Sequence, residues 1–245
     1  MKHEARRPLA VVTGGSRGIG RAFVLEATRR GFDVVFSYRN RDADAAQTVE
    51  LAAELGGRAV SVRADLERFE ELQTVVGAAR GKGSVSLLVN NAGIGEEFTL
   101  EELTRVGWER SIAVNLTAPT FLAKELRADL IAQRGAILNV SSDGGVAGSL
   151  HGAPYGTTKA GLIGLTKTLA RELAPHVRCN AIAPGPVATE MWFAIDPAVQ
   201  AQVMEREMPL KRIAQPEDIA RAGLDISSWP DASGIVVLLD GGRIM

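Results

Sequence analysis

Two side chains in this sequence are spaced for proton chemistry. Tyr155 and Lys159 stand four residues apart in the run Pro154-Tyr155-Gly156-Thr157-Thr158-Lys159. On a helix that spacing puts both on one face, within side-chain reach. A free phenol has a pKa near 10, about three units too high for efficient acid–base work at neutral pH. A neighbouring ammonium favours the phenolate and lowers that value. Pro154 suits the first turn of a helix, and a helix beginning there adds its N-terminal dipole to the same effect. Taken alone, Tyr-x-x-x-Lys also occurs on ordinary amphipathic helices.

A second constellation sits near the chain start, in Thr13-Gly14-Gly15-Ser16-Arg17-Gly18-Ile19-Gly20. It follows the apolar run Leu9–Val12 and precedes a helical pattern. Glycines allow a sharp turn and bring backbone N–H groups close to a pyrophosphate. The helix that follows would present its positive end to the same anion. Gly14, Ser16, Arg17, Gly18, Ile19 and Gly20 are therefore candidate cofactor-binding residues. The spacing is G-x-x-x-G-x-G rather than the commoner G-x-G-x-x-G dinucleotide pattern.

Sheets that bind NAD usually place a carboxylate about twenty positions after the glycines, on the ribose 2′-hydroxyl. Here the second apolar run ends Phe36-Ser37-Tyr38-Arg39, and Asp42 is the first acid after it. Arg39 and Arg17 can clamp a 2′-phosphate that an acid would repel. The expected cofactor is NADP(H). Two solvated arginines are the plain alternative.

These residues need a frame. Short apolar runs recur at Leu9–Val12, Val34–Phe36, Ala59–Val62, Leu87–Val89, Ala136–Val140, Val177–Ile182 and Ile235–Leu239. Such runs suit strands buried on both faces of a parallel sheet. Helical patterns lie between them, at Arg21–Arg30, Ala43–Leu55, Phe69–Arg80, Trp108–Ala132 and Tyr155–Ala174. The alternation predicts an α/β fold: a Rossmann-type doubly wound parallel sheet of about seven strands, helices on both faces, with right-handed crossovers. No linker or repeat divides the 245 residues, so one domain over 1–245 is expected.

The ordered set of motifs resembles the short-chain dehydrogenase/reductase superfamily, over nearly the whole chain. Its members carry T-G-x-x-x-G-x-G, matched here from Thr13 to Gly20. The set continues with Asn90-Asn91-Ala92-Gly93, Asn115, Ser142, Tyr155 with Lys159, Pro184-Gly185 with Thr189, and Asp240-Gly241-Gly242. Within the superfamily the chain looks most like the β-ketoacyl-acyl-carrier-protein reductase branch. The resemblance implies that Ser142 hydrogen-bonds a substrate carbonyl, with Ser141 the neighbouring candidate. It implies that Tyr155 gives the proton and that Lys159 also binds the nicotinamide ribose. Asn115 would hold a water on the proton path to Lys159; a polar residue on an exposed helix face is its alternative. Asp65 would meet the adenine, although by itself it equally reads as a helix cap, and Leu66 beside it is a further cofactor-binding candidate. Asn91, Ala92 and Gly93 would support the cofactor, and Pro184, Gly185, Val187 and Thr189 would border the nicotinamide.

Two stretches depart from the family pattern. The run His151-Gly152-Ala153-Pro154 before the tyrosine is unusual, so the pocket wall there is in doubt. Near Gly223–Pro230 the chain has Asp225-Ile226 and is about two residues shorter than fatty-acid reductases, which puts a plain fatty-acid role in doubt. Residues 188–208 show no strand. Their Met191, Trp192 and Phe193 read as a lid-like excursion over an apolar, cyclic or polyketide-like substrate. His151 is a further candidate pocket residue. Packing of Trp192 and Phe193 into the protein is the competing reading.

The expected activity is NADPH-dependent reduction of a ketone, free or carrier-bound. A secondary-alcohol dehydrogenase and a non-catalytic NADP(H) sensor are the alternatives. Nucleic acid is not an expected partner, because the net charge is −1 with no basic stripe. No membrane partner, no metal and no secretory leader are expected. The single cysteine, Cys179, excludes an internal disulfide and fits a reducing cytoplasm. A homotetramer or homodimer is expected from the resemblance, with the apolar tail Gly242–Met245 docking on a neighbour.

Overall fold

The computed structural model describes residues 7–95, 99–149 and 151–244. The expectations on the leader segment and on Met245 lie partly outside these residues. The elements run β1 (Leu9–Val12), α1 (Gly18–Arg29), β2 (Asp33–Tyr38), α2 (Asp42–Glu54), β3 (Ala59–Arg63), α3 (Leu72–Arg80) and β4 (Val85–Asn90). They continue with α4 (Arg105–Ile112), α5 (Ala118–Ala132), β5 (Ala136–Val140), α6 (Gly144–Ala147), α7 (Ala153–Glu172) and β6 (Arg178–Pro184). The last are α8 (Glu190–Phe193), α9 (Pro197–Gln202), α10 (Pro216–Ser228) and β7 (Val236–Leu239).

The strands form one seven-stranded sheet in the order β3-β2-β1-β4-β5-β6-β7, each pairing parallel. Strand alternation divides the core in two. Leu9 and Val11 face one layer with Val35, Leu88, Ile137 and the α5 residues Leu122, Leu126 and Leu130. Ala10 and Val12 face the other, with Phe36, Val89, Leu138, Phe23 of α1 and Leu224 of α10. Both faces of the central strands are covered, which is why their sequences read as continuous apolar runs. The expected Rossmann-type sheet with helices on both faces is therefore the observed fold.

Some elements differ from the sequence reading. The single pattern over Trp108–Ala132 is α4 and α5 joined through a π-helical turn, Ala113–Thr117. The pattern did not show α10, whose amphipathic face packs on α1. Its start is a Pro at the first position with Glu217 and Asp218 in the first turn, an ordinary N-terminal signal.

The strand order reverses between β1 and β4, and the loops at the carboxyl ends of β1, β4, β5 and β6 open there. In open α/β sheets ligands bind at this crevice. A cleft of about 1370 Å³ runs along it, from the Gly14–Gly20 loop to Tyr155 and on to α8.

Candidate active site

The glycine loop is shaped by close approach. Gly14 has a φ of +70°, a region that favours glycine. A Cβ on Gly20 would run into the Gly14 carbonyl oxygen. Thr13 ties this loop to the one after β4: its hydroxyl accepts from the N–H groups of Asn91 and Ala92, each at 2.9 Å. Asn91 returns its side-chain amide to the Thr13 carbonyl at 2.9 Å. The Thr and Asn of the two motifs are thus one unit that holds the crevice walls in register. Ser16 is buried, and its carbonyl accepts from Arg21 and Thr48.

Gly14, Ser16, Arg17, Gly18, Ile19, Gly20, Arg39, Asp65, Leu66, Asn91, Ala92, Gly93, Pro184, Gly185, Val187 and Thr189 all border the one cleft. Asp65 also accepts from the Glu67 N–H at 3.1 Å, so it terminates a turn as well as facing the cleft. Arg17 and Arg39, the expected clamp, both border the cleft. Arg17 pairs with Glu190, and Arg41 meets the same carboxylate at 2.9 Å. Arg39 is exposed at the cleft edge. Arg41 and Glu190 were missed. Arg41 lies only two residues past Arg39, whereas nothing local marks Glu190, which is brought in from the far side of the sheet.

The proton-bearing residues lie where the cleft deepens. Tyr155 is in the first turn of α7, and Lys159 is one turn on, with Nζ 5.6 Å from the tyrosine ring centre. Lys159 is 4% exposed and donates to the Val140 carbonyl at 2.9 Å. Burial pulls its ammonium down to about 8. The Ser142 hydroxyl lies beside Tyr155 in the same cleft. Ser141 is turned away: its hydroxyl donates to the Lys159 carbonyl at 2.8 Å and anchors α7. Ser142 rather than Ser141 is thus the serine beside the phenol.

The expectation that Lys159 and the helix dipole lower the phenol needs correction. Burial is the leading influence and pushes Tyr155 up; the neighbouring Ser142 hydroxyl opposes this, and the Asp143 charge adds to it.

Asn115 is 1% exposed, which removes the surface alternative. It sits in the π-helical turn, accepts from Ile94 N–H at 2.8 Å, and donates to the Ile94 carbonyl and to Thr158. A Cβ on Gly93 would stand 3.2 Å from Lys159 Nζ and 3.4 Å from Asn115 Oδ1, so both polar groups converge there.

The substrate end holds a second correction. Trp192 is 8% exposed and packs with Val203, Met208, Ile195, Met204 and Ile213. It touches the cleft but chiefly forms a small core beneath the excursion. Phe193, Met191 and Val199 are exposed apolar groups at the cleft, at 62%, 47% and 46%. His151 borders the same space and meets the Tyr155 ring edge-on, centres 5.4 Å apart.

Residues 8–200 match the family model described as short chain dehydrogenase. The chain belongs to the short-chain dehydrogenase/reductase family. It is 34% identical over 241 residues to the 3-oxoacyl-[acyl-carrier-protein] reductase FabG of Staphylococcus epidermidis, covering 96% of this chain and 98% of that one. It is 35% identical over 243 residues to the 3-oxoacyl-[acyl-carrier-protein] reductase of Synechocystis, covering 97% of each. Its fold superimposes on the short-chain dehydrogenase/reductase from Serratia marcescens with a TM-score of 0.91 at 30% identity, over 98% of this chain and 99% of that one. As a member of this family, the chain is an oxidoreductase acting between CH–OH and C=O with a nicotinamide cofactor. Among the described residues no helix is long and apolar enough to cross a membrane.

Proposed function

We propose that this short-chain dehydrogenase/reductase is an NADPH-dependent ketoreductase acting on a 3-oxoacyl or polyketide-like ketone, carrier-bound or free. One observation carries the reading: a phenol, a serine hydroxyl and a buried lysine converge at the deep end of a cleft that starts at a glycine-rich loop. The glycine cradle fits a dinucleotide, and Arg17, Arg39 and Arg41 supply cations where a 2′-phosphate would lie. When bound, the cofactor supplies a hydride. The names of the Staphylococcus and Synechocystis relatives support a 3-oxoacyl substrate.

The chain's own part is to hold and protonate an oxygen. Ser142 and Tyr155 hydrogen-bond the carbonyl oxygen and favour its developing negative charge. Tyr155 gives its proton to that oxygen. Lys159 and Asn115 stand behind the phenol and lead a proton back to it. Residues 188–208 cover the substrate end; Met191 and Phe193 offer an apolar surface that excludes water. Four subunits related by dihedral symmetry are the proposed assembly; the half-exposed Phe69, stacked edge-on against Phe121 of α5, supports an apolar contact on that face. Sedimentation giving a monomer mass would overturn the assembly.

The test is NADPH oxidation with acetoacetyl thioesters and with bulky cyclic ketones. Turnover of either class with NADPH preferred over NADH is expected. No turnover of any ketone, with cofactor bound, would overturn the reading.

A further inference from the structure

The last residues of the chain turn back toward the active site. After β7, Asp240 accepts from the N–H groups of Gly242 at 3.0 Å and Ile244 at 2.7 Å, and this turn aims Arg243 inward. Arg243 Nη1 lies 2.8 Å from Asp143 Oδ2, and its Nη2 lies 2.6 Å from Glu207 Oε2. Asp143 is 6% exposed. Its other oxygen accepts from the Ser142 hydroxyl at 3.0 Å and the Gly144 N–H at 2.7 Å. Arg243 therefore links the tail, the serine loop and the excursion.

Ser142 has one proton, and in this arrangement Asp143 takes it. To meet a carbonyl oxygen the proton must turn away from Asp143, leaving a buried carboxylate short of a donor, which is costly. That carboxylate also stands next to the oxygen on which negative charge grows, and like charges oppose each other strongly where water is scarce. A guanidinium fixed on the far oxygen of Asp143 reduces both penalties.

We propose that Arg243 is a positioning residue for ketone reduction, acting through Asp143: it neutralises that carboxylate so that Ser142 can turn its proton to the substrate oxygen. The inference rests on the ketoreductase reading. Among the described residues, the charged and titratable groups around this centre include Asp143 after β5, His151, Tyr155 and Lys159 with α7, Asp240 and Arg243 after β7, and Glu207 from the excursion.

The phenol reports on this charge balance without turnover. The chain has two tyrosines, so Tyr38→Phe leaves Tyr155 as the one ionising phenol in near-ultraviolet difference absorbance. In that background Arg243→Met should raise the Tyr155 pKa by about one unit, because Asp143 loses its counter-charge. Asp143→Asn should lower it, and Arg243→Met added to Asp143→Asn should then move it by less than about 0.3 unit. Arg243→Lys, which keeps the charge, should stay near the parent value and covers the case in which the Met variant does not fold. With tyrosine 38 restored, Arg243→Met should lower kcat about tenfold with the NADPH KM within about twofold, and Asp143→Asn should recover most of the loss. A shift from Arg243→Met that is the same with and without the Asp143 charge, or that Arg243→Lys reproduces in full, would overturn the proposal and leave Arg243 a tail anchor. Coupled phenol shifts in a protein that reduces no ketone would instead overturn the ketoreductase reading alone.

Discussion

Glu190, the first residue of α8, lies across the cofactor cleft on Arg17 of the glycine loop and shares its carboxylate with Arg41. On the proposed reading it competes with the cofactor's 2′-phosphate for both cations. The pairs are about half exposed, so each contributes little, on the order of 0.2–1 kcal/mol. Glu190→Gln should therefore tighten NADPH binding about two- to fivefold, with the gain shrinking at high salt. Arg41→Ala should weaken NADPH and leave NADH unchanged. Fluorescence titration of both cofactors checks this; equal weakening of NADPH and NADH would remove Arg41 from the 2′-phosphate site.

Tyr155→Phe removes the transferable proton and keeps the ring. Loss of a positioned acid costs about 10²–10⁴-fold in kcat, while cofactor affinity should hold within a few-fold. A Phe variant with near-normal kcat would show that another group protonates the product.

Lys159 carries a pH-dependent cost. Its ammonium titrates at about 8 when folded, against an ordinary value of 10.5. Below about 8 both folded and unfolded chains hold the proton, so the full burial cost is present. Between the two values the unfolded chain holds more protons, and stability rises with pH. Lys159→Met should accordingly be more stable than the parent at pH 7, and that advantage should shrink by about 3 kcal/mol on reaching pH 10.5. Denaturant melts at the two pH values test it; an advantage independent of pH would mean that packing, not the charge, sets the difference.

Trp192 and Phe193 should separate folding from selectivity. Truncating the buried Trp192 to Ala should cost about 3–5 kcal/mol of local packing and lower kcat/KM for small and bulky ketones by a similar factor. Phe193→Ala should spare stability and weaken bulky ketones more than acetoacetyl esters. Equal effects of Phe193→Ala on both substrate classes would show that Phe193 does not line the bound ketone.

The sequence by itself determined the sheet and most of the cleft. Strands buried on both faces leave unbroken apolar runs, and a phosphate loop needs glycines at positions where a Cβ would strike backbone, as at Gly20. The Tyr155–Lys159 pair was legible because both residues sit one turn apart on α7. Tertiary structure decided what depends on separations of a hundred residues or more. Arg243 meets Asp143 across one hundred positions, and Glu190 meets Arg17 across 173. No periodicity reports such pairs, because charged residues on loops are individually compatible with solvent. Tertiary structure also separated Ser141 from Ser142: just past the end of β5, one hydroxyl donates to the α7 backbone and the other lies beside the phenol. It also sets the burial that pushes the Tyr155 phenol up. The sequence shows the neighbouring charge, but only the packed fold sets how much water is removed from the hydroxyl.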